Sequence, residues 1–374
     1  MSTTTMTTAL TQPLLRPFDL GVLRLPTRVV VAPTTRARAE NPGLVPTELH
    51  VAHYAQRATA GLVICESLFV SERGIGQVNV PGIYSPEQVA GWRRVTDVVH
   101  ALGGRIVAQL WHAGAVSHPD HHGGRLPAGP SAVNPGQTVF TPTGPKPTRT
   151  PREMTVAEIE QAVADYAAAA VNARRAGFDG VELPAQGVYV IPQFLSPRLN
   201  RRTDAYGGDR ARRRRLLFEI IDAVAAAWGG EPRVGVRLGP YWNTGGQFAF
   251  DPDRLTEYDE LTAALNDRPA VAYLHLLGAD PTGPDGPDLS LFARYRRLFA
   301  GPLIANNGFD RESGNAAIEA GVADAVSFAR HFVANPDLVT RFALGCRLAQ
   351  GDPSTYYTGG VRGYLDHPAC DCGV

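Results

Sequence analysis

The chain has 374 residues, 36 basic against 36 acidic, and 44% of them are hydrophobic. That is the balance of a packed globular protein, with room for one large α/β barrel or two to three smaller domains. Zero net charge argues against nucleic acid or an anionic membrane as the main partner, no apolar run nears the roughly 18 residues of a spanning helix, and the 4 cysteines are too few for a disulfide framework.

Residues 1–14 have no basic n-region and no apolar h-region, so they read as a disordered tail and not as a secretory signal. A cytoplasmic protein with reduced cysteines is expected. Short, continuous apolar runs then recur along the chain: Val29–Pro33, Gly61–Ser67, Arg105–Trp111, Gly180–Pro184, Arg233–Leu238, Ala272–Gly278, Pro302–Asn307 and Ala325–Arg330. Continuous rather than alternating runs suit parallel strands covered on both faces. Between them, Ser85–Leu102, Thr155–Ala176, Arg210–Trp228, Glu312–Ala320 and Pro336–Ala349 have helical periodicity. Ser85 is a predicted N-cap, and Thr155 with Glu158 a predicted capping box.

Eight such units fit an open doubly wound sheet or a closed barrel. No G-x-G-x-x-G follows the first strand, which counts against a dinucleotide-binding sheet. The expected fold is therefore a single (β/α)₈ TIM barrel over residues 15–368, with a C-terminal tail at 369–374. Long loops follow strand 3 (residues 112–151) and strand 4 (residues 185–209), at the end where a barrel keeps its active site.

The strand ends carry the chemistry. Strand 1 ends in Pro33-Thr34-Thr35-Arg36, strand 2 in Glu66-Ser67, and strand 3 holds Gln109 and Trp111. Strand 5 holds Arg237 between two apolar residues, and a buried guanidinium needs an anionic partner. A structural ion pair with Glu66 or Glu182 is the plain alternative. Strands 7 and 8 end in Asn306-Asn307-Gly308 and Ala329-Arg330, each before a helix start, where barrels commonly bind phosphate. An amide, a buried Arg and a phosphate site suggest a phosphorylated planar cofactor, flavin mononucleotide (FMN), across the barrel mouth. Lys146, the one lysine, lies in a loop, so a Schiff-base aldolase has no base at a strand end. His118, Asp120, His121 and His122 share a loop with Gly123-Gly124, and the Cys370-x-Cys372 pair has no second pair near it. No metal is expected. Arg212–Arg215 reads as a solvated face.

At these residues the sequence resembles the classical branch of the Old Yellow Enzyme family of FMN-dependent ene-reductases. The likeness runs from about Leu15 to Pro368 and is carried by VAPTTRARA (Val31–Ala39), QFLSPRLNRRTDAYGG (Gln193–Gly208), PLIANNGFDRES (Pro302–Ser313) and AVSFARHFVANPDLV (Ala325–Val339), among other stretches. The resemblance implies non-covalent FMN, NAD(P)H as reductant, and a small-molecule substrate. Pro33, Thr35 and Ser67 match positions at the flavin edge, Gln109 the amide on its pyrimidine ring, and Arg237 the cation by N1 and O2. Asn307, Gly308, Ala329 and Arg330 fall in the phosphate-binding stretches, with Asn307 and Ala329 standing where the pattern usually has glycine. Tyr189 matches the proton-donating tyrosine, and Trp111 and Tyr357 match substrate contacts. The pattern departs after strand 4. The family's V-E-I-H-x-A-N-x-Y is here Val181-Glu182-Leu183-Pro184-Ala185-Gln186-Gly187-Val188-Tyr189. Pro184 and Gly187 replace the two donors that grip the substrate carbonyl, and neither has a side-chain donor. Gln186 is the nearest replacement. The expectation is reduction of an activated C=C bond in a specialised, secondary-metabolite substrate by a monomer or homodimer. The alternatives are desaturation, isomerisation or reductive rearrangement of a biosynthetic intermediate, or a weakly catalytic FMN-binding protein.

Overall fold

The computed structural model describes residues 12–280 and 286–371. Its centre is a closed barrel of eight parallel strands: β1 (Val29–Val31), β2 (Leu62–Phe69), β3 (Ile106–Trp111), β4 (Gly180–Ala185), β5 (Val234–Leu238), β6 (Val271–Leu277), β7 (Leu303–Asn306) and β8 (Ala325–Phe328). Each pairs with its sequence neighbour, and β8 closes on β1 through Val326↔Val29 and Phe328↔Val31. The TIM barrel expected from the run order is the fold. Around it lie α1 (Glu48–Ala55), α2 (Pro86–Ala101), α3 (Val156–Arg175), α4 (Arg215–Ala227), α5 (Pro252–Leu265), α6 (Leu289–Leu298), α7 (Arg311–Glu319) and α8 (Leu338–Leu344).

Local signals set several of these ends. Ser85 Oγ accepts the Gln88 N–H at 3.2 Å while Gln88 Oε1 accepts the Ser85 N–H at 3.1 Å, a complete capping box ahead of Pro86. Thr155 and Glu158 do the same for α3. Each cap is worth about 1 kcal/mol. The expected helix 210–228 is broken: Arg210–Arg213 forms a separate turn. There Arg213 is buried, bonded to the Leu195 and Gly208 carbonyls and to Glu257, so it is not part of a solvated face. The expected helix 336–349 shrinks to α8 because Gly345 takes the left-handed conformation (φ 70°) and ends it. Helices α1, α5 and α6 were not expected from the sequence; in α1, buried His50 and His53 hide the apolar period.

Alternation along the strands builds the barrel interior in layers. The lowest is apolar. Val30, Leu62, Ile64, Val107, Tyr273, Ile304 and Ala325 pack with Leu20 and Leu25 of a small hairpin (Phe18–Leu20 with Leu23–Leu25) that plugs the bottom. Tyr273 fills the space a Cβ at Gly235 would need, 2.2 Å from its ring. Two residues higher on each strand the layer is polar: Gln109, Glu182, His275 and Ser327, joined by Ser67 after a register shift in β2.

Both expected tails need correction. Leu14 is fully buried, and its N–H bonds to Asn315 Oδ1 at 3.0 Å, so the ordered chain starts before residue 15. Residues 1–11 lie outside the described residues. At the other end Cys370 forms a disulfide with Cys346, where reduced cysteines were expected. Its N–H also bonds to Asp337 Oδ2 at 2.6 Å. A pairing 24 residues apart leaves no local mark in the sequence. Cys372 lies outside the described residues.

Candidate active site

The polar layer is one hydrogen-bonded network. Ser67 Oγ donates to Gln109 Oε1, and Gln109 Nε2 donates to Glu182 Oε1 at 2.7 Å. Glu182 Oε2 accepts from Tyr273 Oη at 3.1 Å and from His275 Nδ1 at 2.9 Å. Burial pushes the Glu182 carboxyl up, but His275, Arg237 and Gln109 outweigh it and hold the group below its ordinary range. Burial likewise lowers the His275 imidazole, with Glu182 opposing. A neutral ring donating from Nδ1 leaves Nε2 to accept the Ser327 hydroxyl at 2.8 Å. Gln109 keeps one amide N–H beyond this network.

Arg237 stands beside this network, in register with Pro184 on β4 and His275 on β6. It makes no ion pair with Glu66 or Glu182. Its single hydrogen bond among the described residues runs from Nη2 to Asn306 Oδ1 at 2.8 Å, and Nε is buried without a partner. Burial lowers its pKa, while Glu182, Tyr189 and Tyr273 work against that. A buried guanidinium with four uncommitted donors calls for an anionic or strongly accepting group. Glu66 instead accepts the backbone N–H groups of Arg36 and Ala37.

Past the ends of β7 and β8 the chain runs through Asn307-Gly308 and Ala329-Arg330. Asn307 and Gly308 both have positive φ, 87° and 78°. Asparagine tolerates this conformation better than most side chains, and Asn307 Nδ2 ties down the loop after β6 at the Gly278 and Ala279 carbonyls. Ala329 has negative φ (−94°) and is unstrained in place of glycine. The Arg330 side chain is exposed and makes no hydrogen bond or ion pair among the described residues. Pro33 and Thr35 lie half-buried past the end of β1.

Over the mouth, Tyr189 meets the edge of Trp111 at 4.8 Å between ring centroids, and Trp111 stacks on Phe69 at 4.6 Å. Trp111 Nε1 is buried without a partner. Burial raises the Tyr189 phenol, Arg237 lowers it, and Tyr357 raises it again. Tyr357 is half exposed, 6.1 Å from Phe140, which sits on a second hairpin, Thr138–Thr141 with Gly144–Pro147, inside the long loop after β3. Gln186 is buried with Oε1 unpartnered, and Gly187 has φ 81°. The loop histidines are occupied elsewhere: His118 Nδ1 lies 3.0 Å from Asp120, His122 bonds Ser117, and His121 bonds the Phe140 carbonyl. The site residues read from the sequence thus gather at one end of the barrel. Asn306, as the partner of Arg237, and Phe140 were missed. The period-two spacing from Ile304 to Asn306 was the available signal for the first.

The family model for NADH:flavin oxidoreductase / NADH oxidase matches residues 13–348. The chain belongs to this family. It is an FMN-dependent oxidoreductase family of the Old Yellow Enzyme type, and the chain is an enzyme of it. Rice 12-oxophytodienoate reductase 1 (Oryza sativa subsp. japonica) is 38% identical over 95% of this chain and 93% of its own length. Morphinone reductase in complex with tetrahydroNAD is 42% identical, with a TM-score of 0.88 over 96% of this chain and 98% of its own. The old yellow enzyme homologue of Zymomonas mobilis is 38% identical, with a TM-score of 0.88 over 95% of this chain and 99% of its own. The residues present fit FMN. The orphaned Arg237 Nε inside the barrel and the exposed Arg330 at the end of β8, which has no partner among the described residues, are cations that the fold leaves open to an anionic, acceptor-rich ligand. Among the described residues no helix is long and apolar enough to cross a membrane.

Proposed function

We propose that this oxidoreductase uses non-covalent FMN and NAD(P)H to reduce an activated C=C bond in a specialised substrate bulkier than a simple cyclic enone. FMN would supply the chemistry of accepting a hydride from NAD(P)H and delivering it to the alkene. Asn307, Gly308 and Arg330 would hold its phosphate. Arg237, Gln109 and Thr35 would bind the ring, flanked by Pro33 and Ser67. Tyr189 keeps its proton at neutral pH because burial raises its pKa, so its Oη can protonate the second alkene carbon. Trp111 fixes the tilt of that ring, and Tyr357 covers the mouth.

One observation carries the substrate reading. Pro184 lies on β4 beside Arg237, and Gly187 follows in a left-handed turn against Tyr189; neither position offers a side-chain donor to a substrate carbonyl. Losing one preorganised oxyanion donor typically costs about 10²–10³ in rate. A substrate that relies on that grip should therefore react slowly. Gln186 is the replacement donor, through its amide Nε2, which makes no hydrogen bond among the described residues.

Stopped-flow measurement of the two half-reactions tests this. Reduction of the FMN-loaded enzyme by NAD(P)H should proceed, while reoxidation by 2-cyclohexenone should be slow. Pro184→His with Gly187→Asn should accelerate that second step about a hundredfold. Asparagine suits the φ of 81° at position 187. Fast enone reoxidation in the unaltered enzyme would overturn the reading.

A further inference from the structure

A cleft of ≈ 180 Å³ lies behind Gly187, between the segment after β4 and the segment after β5. Its inner end is formed by Gly187 and Gly239, residues that follow the adjacent strands carrying Pro184 and Arg237. A Cβ at Gly187 would make an ordinary contact with the Tyr189 ring at 3.4 Å, and one at Gly239 would crowd Gln186 Cβ at 2.9 Å. The walls are apolar, from Pro192, Leu195, Trp242, Phe248 and Tyr258. At about half the volume of a complete ligand pocket or less, the cleft suits one arm of a molecule.

Four arginines face three carboxylates. Arg213 pairs with Glu257, Arg210 with Glu260 at 2.9 Å and more distantly with Glu257 at 4.0 Å, and Asp251 takes Arg198 at 2.8 Å. Asp253, on the exposed first turn of α5, makes no ion pair among the described residues. Arg254 is partly buried and has no carboxylate of the described residues within ion-pair distance. It donates to the Trp242 carbonyl and, at 2.8 Å, to the Ala249 carbonyl, which leaves three of its five N–H donors uncommitted.

We propose that this cleft is a subsite for an anionic oxyacid group on an apolar arm that enters from the reaction centre at Gly187, with Arg254 as the residue that recognises it. The inference rests on the active-site reading above and adds the class of ligand. A carboxylate on the substrate or a phosphate of the nicotinamide dinucleotide would meet the same donors. A small apolar wall beside one uncommitted guanidinium rewards such a group, because the charge-assisted bond forms partly out of water.

Isothermal titration calorimetry of the FMN-loaded enzyme separates the possibilities, with cyclohexenones bearing a carboxyalkyl arm, their methyl esters, and tetrahydroNAD as probes. The acid should bind on the order of tenfold or more tighter than its ester. That preference should shrink as salt is raised. Arg254→Gln should bring the acid down to the ester and leave the ester unchanged, and Arg254→Lys should keep part of the preference. If Arg254→Gln instead weakens tetrahydroNAD about tenfold and spares the acid, the subsite stands with the dinucleotide phosphate as its ligand. Equal binding of acid and ester in the unaltered enzyme, with tetrahydroNAD indifferent to Arg254→Gln, overturns the proposal. The acid–ester comparison needs no variant, so a misfolded Arg254→Gln protein cannot hide that result. Calorimetry also needs no turnover, so a failed half-reaction would count against the proposed function without touching the subsite.

Discussion

Arg237 illustrates how one side chain can be set up for a ligand by what its neighbours withhold. It sits in the barrel interior with one neutral hydrogen bond, to Asn306, and a buried Nε left over. Arg237→Met should lower the reduction potential of bound FMN or abolish binding, because the reduced, anionic ring loses its nearest cation. Spectroscopic redox titration against a reference dye measures this; an unchanged potential at full occupancy would make Arg237 structural. Arg330→Ala should weaken FMN retention about tenfold or more, the loss of one charge-assisted bond, as read by equilibrium dialysis. His112 makes a pH prediction. Its Nδ1 accepts the Gly114 N–H at 2.9 Å, and burial lowers its pKa to about 4. A depressed folded-state pKa contributes stability above the unfolded value near 6.5, and that stability is lost as pH falls towards 4. The loss is about 3 kcal/mol from this residue. His112→Asn should flatten the fall in urea-unfolding free energy between those pH values relative to the unaltered protein.

Among the elements, the segment after α8 shows how mostly irregular chain, with one 3₁₀ turn at Pro353–Thr355, is held by side chains from elsewhere. Arg36 donates to the Tyr356 and Gly363 carbonyls, and Arg38 to those of Thr355, Tyr356, Thr358 and Gly360. Both arginines are buried, and their guanidiniums lie about the Tyr364 ring at 5.2 and 4.9 Å. Tyr357 is carried on this arginine-stitched segment, which brings it to the mouth. The Cys346–Cys370 disulfide closes the segment into a loop of 24 residues. Cys346→Ser should therefore cost about 3 kcal/mol of unfolding free energy. Urea denaturation should show it, and adding reductant should bring the unaltered protein down to the variant. The sequence displayed the barrel strands because parallel strands covered on both faces are unbroken apolar runs. It did not display this segment, whose order comes from side chains more than 300 positions earlier.

At the scale of the whole molecule, a cofactor that binds only the folded barrel adds to its stability by mass action. FMN at about a hundred times its dissociation constant should raise the unfolding free energy by about 2.7 kcal/mol. Thermal unfolding with and without FMN checks this, and Arg237→Met should remove much of the gain at the same FMN concentration.

The sequence by itself determined the eight strands, the caps of α2 and α3, the clustering of site residues at strand ends, and the presence of Pro184 and Gly187 where donors were expected. All of these are local: a strand's burial, a cap's spacing and a residue's identity are settled within a few positions. The tertiary structure alone decided that Arg237 meets Asn306 and no carboxylate, that Arg213 turns inward, that Cys346 reaches Cys370, and that a cleft with one unmatched arginine opens beside Gly187. Those outcomes join residues far apart in the chain. They exist only once the barrel has closed and its loops have packed, because closure is what fixes which distant groups come within hydrogen-bonding reach.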